Sequence, residues 1–155
     1  AMRGMNPFFY CYIPRDDWFP AMTVSDDIET LLKLRTVAVL GCSPRADRPS
    51  HQIASYLMDV GFRVIPVNPA VSEILGEVCY PDLASIPEPV DVVDVFRRPE
   101  ALSDAARQAV AKGAKGLWFQ DGLRDPGAEA MARKAGLTVV VDDCIMRQHL
   151  SRFGR

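Results

Sequence analysis

Short apolar runs rich in β-branched residues recur along the chain, VAVL, RVIPV, VDVVDV, KGLWF and LTVVV, most of them separated by longer stretches with helical spacing. The pattern predicts strands near 36–40, 62–67, 90–95, 115–119 and 137–141, and helices near 50–60, 99–112, 126–135 and 143–152. A further helix is predicted to start at Ser25, read as its N-cap, because Asp26, Asp27 and Glu29 follow where the helix dipole favours acids. Ile28, Leu31, Leu32 and Leu34 give that helix an apolar face. Gly61, Gly113 and Gly136 end helices shortly before three of the strands. Such alternation predicts an α/β protein, a Rossmann-like, doubly wound parallel sheet of five strands in three layers. Right-handed crossovers suggest the order 3-2-1-4-5, with a ligand crevice at the carboxyl ends of strands one and four. The connection from Ala70 to Pro89 reads as a short strand or turn and one helical turn, too little for a second domain.

The length of 155 residues, 48% apolar and 25% charged, suits one domain with a real core. Residues 25–155 are read as that domain and residues 1–24 as an N-terminal extension. The extension carries NPFFYCYIPRDDWFP, whose Phe8, Phe9, Tyr10, Tyr12, Trp18 and Phe19 are too apolar for a solvated tail. It reads either as an arm packed on the domain or on a partner subunit, or as an untranslated or artefactual leader. With 18 basic and 20 acidic residues the net charge is -2, which supplies no global field for nucleic acid or an anionic membrane. Any phosphate site must be local. No apolar run is long enough to span a bilayer and no secretory pattern opens the chain, so the expected compartment is cytoplasmic. Cys11, Cys42, Cys79 and Cys144 lie far apart, which suggests reduced thiols rather than a zinc site or a disulfide framework.

The segment Thr36 to Pro69 reads as strand, turn, helix and second strand, a nucleotide-binding half with an unusual turn. Gly41 is followed by Cys42, Ser43 and Pro44 and then by a helix, an arrangement in which backbone N–H groups would face an anion. The nicotinamide fingerprint is missing: no G-x-G-x-x-G follows strand one, and strand two ends in Val67, Asn68 and Pro69 instead of an acid. Arg45 and Arg48 flank the turn, and Arg97 and Arg98 follow strand three. Guanidinium groups there suit phosphate, because the planar fork binds two oxygens at once; taken singly, each also reads as a solvated surface charge.

Taken together, GCSPR, VIPVNP, VDVVDVFRRPEA, GLWFQDG and DDCIMRQH resemble the small CoA-binding family, which is similar to the CoA-binding domain of the succinyl-CoA synthetase alpha subunit. The likeness runs from about Leu31 to Phe153. It implies a Rossmann-like fold holding CoA across the carboxyl ends of its strands. The turn maps onto Gly41, Cys42, Ser43, Pro44 and Arg45, and the end of strand two onto Val67, Asn68 and Pro69. The end of strand three maps onto Val95, Phe96, Arg97 and Arg98, and that of strand four onto Phe119, Gln120 and Asp121. By this resemblance the turn and Arg45 or Arg48 meet phosphates, while Phe96 and the Val67–Pro69 backbone border the adenosine or pantetheine arm. Two departures stand out: Val71 occupies the position of a synthetase lysine, and the chain has only His51 and His149 and no second domain to carry a phosphohistidine. The implied function is binding of CoA or an acyl-CoA without a self-contained reaction. An accessory subunit of an acyl-CoA synthetase-type enzyme is the main alternative, and an NAD(P)-binding sensor or reductase the third. A homodimer or a synthetase-like protein is the expected protein partner.

The remaining reactive groups admit two readings each. His51, at the start of the first crossover helix, is either an exposed helix-start residue or a phosphate contact or pH-sensitive gate. His149 lies five residues after Cys144, a spacing that does not support a Cys–His pair. Cys42 is either a small side chain that lets a ligand approach the backbone or a thiol activated by the helix N-terminus and the arginines. Asp91, Asp94, Asp121, Asp142 and Asp143 read as caps and turn formers before they read as acid-base or metal groups. Trp118 and Phe119 read as core on strand four, with stacking on adenine as the alternative.

Overall fold

The computed structural model describes residues 23–154. The extension read over residues 1–24 therefore lies, apart from Thr23 and Val24, outside the described residues. Helix α1 (Val24–Leu32) opens the described chain. Its N-cap is Thr23, not Ser25: Thr23 Oγ1 accepts from the Asp26 N–H at 3.1 Å, and Asp26 returns a carboxylate oxygen to the Thr23 N–H. This reciprocal pairing satisfies two otherwise orphaned donors, which a start at Ser25 would leave bare. Ser25 instead accepts from the Arg152 guanidinium at 2.9 Å.

Five parallel strands follow: β1 (Thr36–Leu40), β2 (Arg63–Val67), β5 (Val92–Val95), β6 (Gly116–Phe119) and β7 (Thr138–Val140). A two-residue hairpin pair, β3 (Glu73–Ile74) and β4 (Glu77–Val78), and a helical turn at Leu83–Ser85 fill the connection between β2 and β5, as the sequence suggested. The crossover helices are α2 (Pro49–Asp59), α3 (Leu102–Lys112) and α4 (Pro126–Lys134), and α5 (Ile145–Phe153) closes the chain. The sheet order is β2-β1-β5-β6-β7. This corrects the expected 3-2-1-4-5: the third long strand lies beside β1, not beyond β2. The reason is burial. Every residue of β5 is buried, so it belongs inside the sheet, and its register runs Val37↔Val92 to Leu40↔Val95. Asp91 locks the pairing by accepting from the Arg35 and Thr36 N–H groups at 3.1 and 3.0 Å. Tyr80 bridges to Val67 on the far side of β2.

Helices α3 and α4 and the β2–β5 connection cover one face of the sheet, around Leu83, Leu102, Leu117 and Phe119. Helices α1, α2 and α5 cover the other, around Leu31, Leu57, Trp118 and Ile145. A fit of high precision pins α1: the Leu31 side chain fills the space above Gly116, where a Cβ would stand 2.3 Å from Leu31 Cδ2. Reversal of strand order occurs between β1 and β5, since the chain leaves β1 for β2 on one side and returns to β5 on the other. In open α/β sheets the crevice for a ligand opens at such a switch point, outside the carboxyl ends of the strands.

Candidate functional site

A cavity of about 640 Å³ opens at that switch point. Its lining draws Gly41 and Ser43 from the turn after β1, and Arg48, Pro49, Ser50 and Ile53 from the start of α2. Phe96, Arg97 and Arg98 enter after β5, Gln120, Asp121 and Leu123 after β6, and Cys144 at the start of α5.

The turn is built differently from its sequence reading. The Gly41 and Cys42 N–H groups both donate to Val67 O, at 2.9 and 3.2 Å. Ser43 N–H donates to Ser50 Oγ at 2.9 Å, and Arg45 N–H to Ser43 Oγ at 3.1 Å. Each of these four donors is bonded inside the protein. Gly41 has φ +91° and passes under the Phe96 carbonyl, an approach open only to a residue without a Cβ. His51 Nδ1 lies 3.0 Å from Ser43 O, which makes it part of the frame of the turn. Positive charge is brought to the cavity by side chains. Among the described residues Arg48, Arg97 and Arg98 enter no ion pair, although all three line the cavity. Three uncompensated guanidinium groups around one cavity set up a local positive field despite the net charge of -2.

Other candidates of the sequence reading have different places. Arg45 turns to Asp47 at 3.0 Å and does not line the cavity. Asn68 is a staple: its Nδ2 donates to Cys42 O and its Oδ1 accepts from the Ala70 N–H, both at 2.8 Å. Val67 supplies the carbonyl that holds the turn, and Val67, Val95 and Phe119 are core residues. Pro69 borders a separate, more open depression with Val71, Ser72 and Pro81, and Pro44 lines neither hollow. His149 accepts or donates at the Tyr56 hydroxyl, 2.7 Å away, and its ring meets Tyr56 and Phe62 edge-on. Burial pushes its imidazole below the ordinary value.

Cys42 is wholly buried, and burial, with Cys79 and Asp94 nearby, pushes its thiol up to about 12. That rules out the activated-thiol alternative, since the thiol rather than the thiolate persists at neutral pH. Iodoacetamide at neutral pH is expected to leave Cys42 unmodified in the folded protein and to alkylate it after denaturation. Peptide mapping that finds Cys42 labelled in the native state would contradict this.

Sequence reasoning missed Pro49, Ser50, Ile53, Leu123 and Cys144 as cavity residues and misjudged Asp94, while Asp121 lies at the end of strand four where the resemblance mapped it. Arg147 grips Asp121 with both terminal nitrogens, at 3.0 and 2.9 Å, and also reaches Asp143 at 2.9 Å. The Arg147 bonds hold the Asp121 carboxyl below its ordinary value, so this wall of the cavity is charge-matched. Asp94 neither caps nor turns. It stands inside β5, wholly buried, with Oδ1 accepting from Gln120 Nε2 and Oδ2 without a partner. Burial pushes its acid up to about 8 against the Gln120 bond that lowers it. No group of three or more metal-ligating side chains is found among the described residues, and no helix there is long and apolar enough to cross a membrane.

Comparison with known proteins agrees with this architecture. An uncharacterized protein of Bacillus subtilis (strain 168), YneT, is 39% identical over 121 residues, 78% of this chain and 90% of the relative. The ADP-forming acetate–CoA ligase I of Archaeoglobus fulgidus is 31% identical over 131 residues, 76% of this chain and 19% of the ligase. The structure of a hypothetical protein from Pyrococcus horikoshii OT3 superposes with a TM-score of 0.79 at 37% identity, covering 90% of this chain and 95% of that one. The chain thus spans nearly all of the small bacterial and archaeal proteins and about a fifth of the ligase. Residues 35–149 match the model of the CoA-binding domain, and the chain belongs to that family.

Proposed function

We propose that the protein binds CoA or an acyl-CoA in the cavity at the β1/β5 switch point, as a binding module with no reaction of its own. The observation that carries this reading is the trio Arg48, Arg97 and Arg98, unpaired and gathered on one cavity. A diphosphate and a 3′-phosphate are the ligand groups that three such forks match. The volume, about 640 Å³, falls in the usual range for a nucleotide-sized ligand. Phe96, Ile53 and Leu123 add apolar wall for the uncharged parts. The nicotinamide reading loses further ground, because the residue at the end of β2 that would face a ribose is Asn68, and both ends of its amide are already bonded.

The double substitution Arg97→Ala/Arg98→Ala is expected to weaken CoA binding by roughly a hundredfold, about 1.5 kcal/mol for each charged hydrogen-bonding group removed. Isothermal titration measures it, with NAD as the control ligand that lacks the 3′-phosphate. Unchanged CoA affinity would remove both arginines from the site, and tighter binding of NAD than of CoA would overturn the reading. A role as an accessory piece of a synthetase rests on one observation, that the related acetate–CoA ligase contains this domain as a fifth of its length. Co-purification of a synthetase-like protein with the tagged chain tests it.

A further inference from the structure

Gln120 leaves the carboxyl end of β6 at the rim of the cavity and is only 5% exposed. Its Nε2 is committed to Asp94 Oδ1, and among the described residues no donor reaches its Oε1. The amide therefore stands with its nitrogen end turned into the protein and its oxygen free. What holds it is costly. Asp94 lies mid-strand in β5 between Val39 and Trp118 of the neighbouring strands, among positions that are otherwise apolar, and its second oxygen is an orphan. A valine there would complete the apolar packing at no such penalty, since an unbonded buried polar atom costs about 1–3 kcal/mol. A buried acid whose single bond goes to a cavity residue serves that residue.

The sheet order says which part of a ligand Gln120 meets. Along the carboxyl edge the turn and Arg48 belong to the β1 end and Arg97 and Arg98 to β5. Gln120 and Leu123 follow β6, and Cys144 follows β7. The guanidinium groups are thus at one end, and an uncharged amide, a leucine and a thiol are at the other, where Asp121 is neutralised by Arg147. We infer that Gln120 Oε1 is the acceptor for an amide N–H of the ligand's uncharged arm, and that Asp94 is a positioning residue that fixes the Gln120 amide for it. This rests on the CoA reading above, in which the arm is pantetheine with its two amides.

Burial keeps the proton on Asp94 at neutral pH, and the thiol facing it, Cys42, stays uncharged as well, so it is a neutral acid that holds the amide. A neutral isostere must then suffice. Titration calorimetry of the full chain at neutral pH, with CoA and with adenosine 3′,5′-bisphosphate, which lacks the arm, tests this. Gln120→Met is expected to weaken CoA about tenfold and to leave the bisphosphate within about twofold. Asp94→Leu is expected to match Gln120→Met, and Asp94→Asn to bind CoA within about twofold of the parent protein. Should Asp94→Leu fail to fold, the contrast between Gln120→Met and Asp94→Asn decides alone. Unchanged CoA affinity in Gln120→Met, equal losses on both ligands, or an Asp94→Asn as weak as Gln120→Met would each overturn the inference while leaving CoA binding in place. Absence of CoA binding by the parent protein would remove the reading and this inference with it.

Discussion

Gly41→Ala is expected to destabilise the protein by about 3 kcal/mol or more and to abolish measurable CoA binding. Two independent penalties meet at that residue. Its φ of +91° lies where an L side chain is strained, and a Cβ built there stands 2.1 Å from the Phe96 carbonyl oxygen and 3.2 Å from Arg97 Cδ. The first obstacle is backbone, which cannot swing aside as a side-chain tip can. Relief requires the turn after β1 to separate from the end of β5. That movement breaks the bond from Phe96 N–H to Leu40 O, 2.8 Å, and the paired bonds of Gly41 and Cys42 to Val67 O. It also shifts Arg97 and Arg98, so binding fails for the same reason as stability. Denaturant unfolding of Gly41→Ala beside the parent protein measures the first effect and titration with CoA the second. Stability within about 1 kcal/mol of the parent would show that the strands part freely at this point.

Asp94→Asn is expected to make the protein's stability markedly less sensitive to a rise in pH between about 4 and 8. In the unfolded chain the Asp94 carboxyl has its ordinary value of 3.8, and in the folded protein burial raises it to about 8. Between those values the folded state keeps a proton that the unfolded state has lost. Stability must therefore fall as pH rises through this window, by about 1.4 kcal/mol per unit, and level off above it. Below pH 4 the proton is present in both states and the contribution is complete. Asparagine has nothing to titrate, so its stability relative to the parent should grow by about 4 kcal/mol between pH 5 and pH 8. Gln120 can donate to the new side chain as to the old, and Cys42, the titratable neighbour, stays a thiol across that range. Urea unfolding of both proteins at four pH values gives the difference directly, and parallel curves would mean that the Asp94 acid is not raised.

Much of this was legible in the sequence, and the exceptions have physical causes. The strands and helices announced themselves because their apolar spacing is regular, and the cavity arginines because they stand at strand ends. Strand order was not legible. The connection from β2 to β5 contains a hairpin and a helical turn instead of a full crossover helix, and the pairing of β5 with β1, with the Arg35 and Thr36 N–H groups donating to Asp91, joins residues far apart in sequence that no local pattern links. The start of α1 was misplaced by two residues because Thr23 and Ser25 are both good caps, and the choice depends on Asp26 reaching back to the Thr23 N–H. Asn68 drew notice for the acid it replaces, but its role as a staple depends on the Cys42 carbonyl, far away in sequence. Asp94, on strand three, reads with four other acids as a cap or turn former because sequence position alone does not distinguish a carboxyl that faces water from one enclosed by Val39, Trp118 and Gln120. The cavity role of Cys144 escaped for a similar reason: β7 brings it beside the site only once the sheet order is known.

The contact of Leu31 with Gly116 bears on where this unit can be cut. The family match begins at residue 35, yet α1 lies ahead of it and contributes Ile28, Leu31 and Leu32 to the interior. A fragment trimmed to the family boundary would lose the roof over β6 and present Gly116, with no side chain of its own, as an open slot in the face of the sheet. Excision, fusion or transplantation of the domain should therefore keep α1 with its Thr23 cap, because the side chain that roofs β6 comes from that helix.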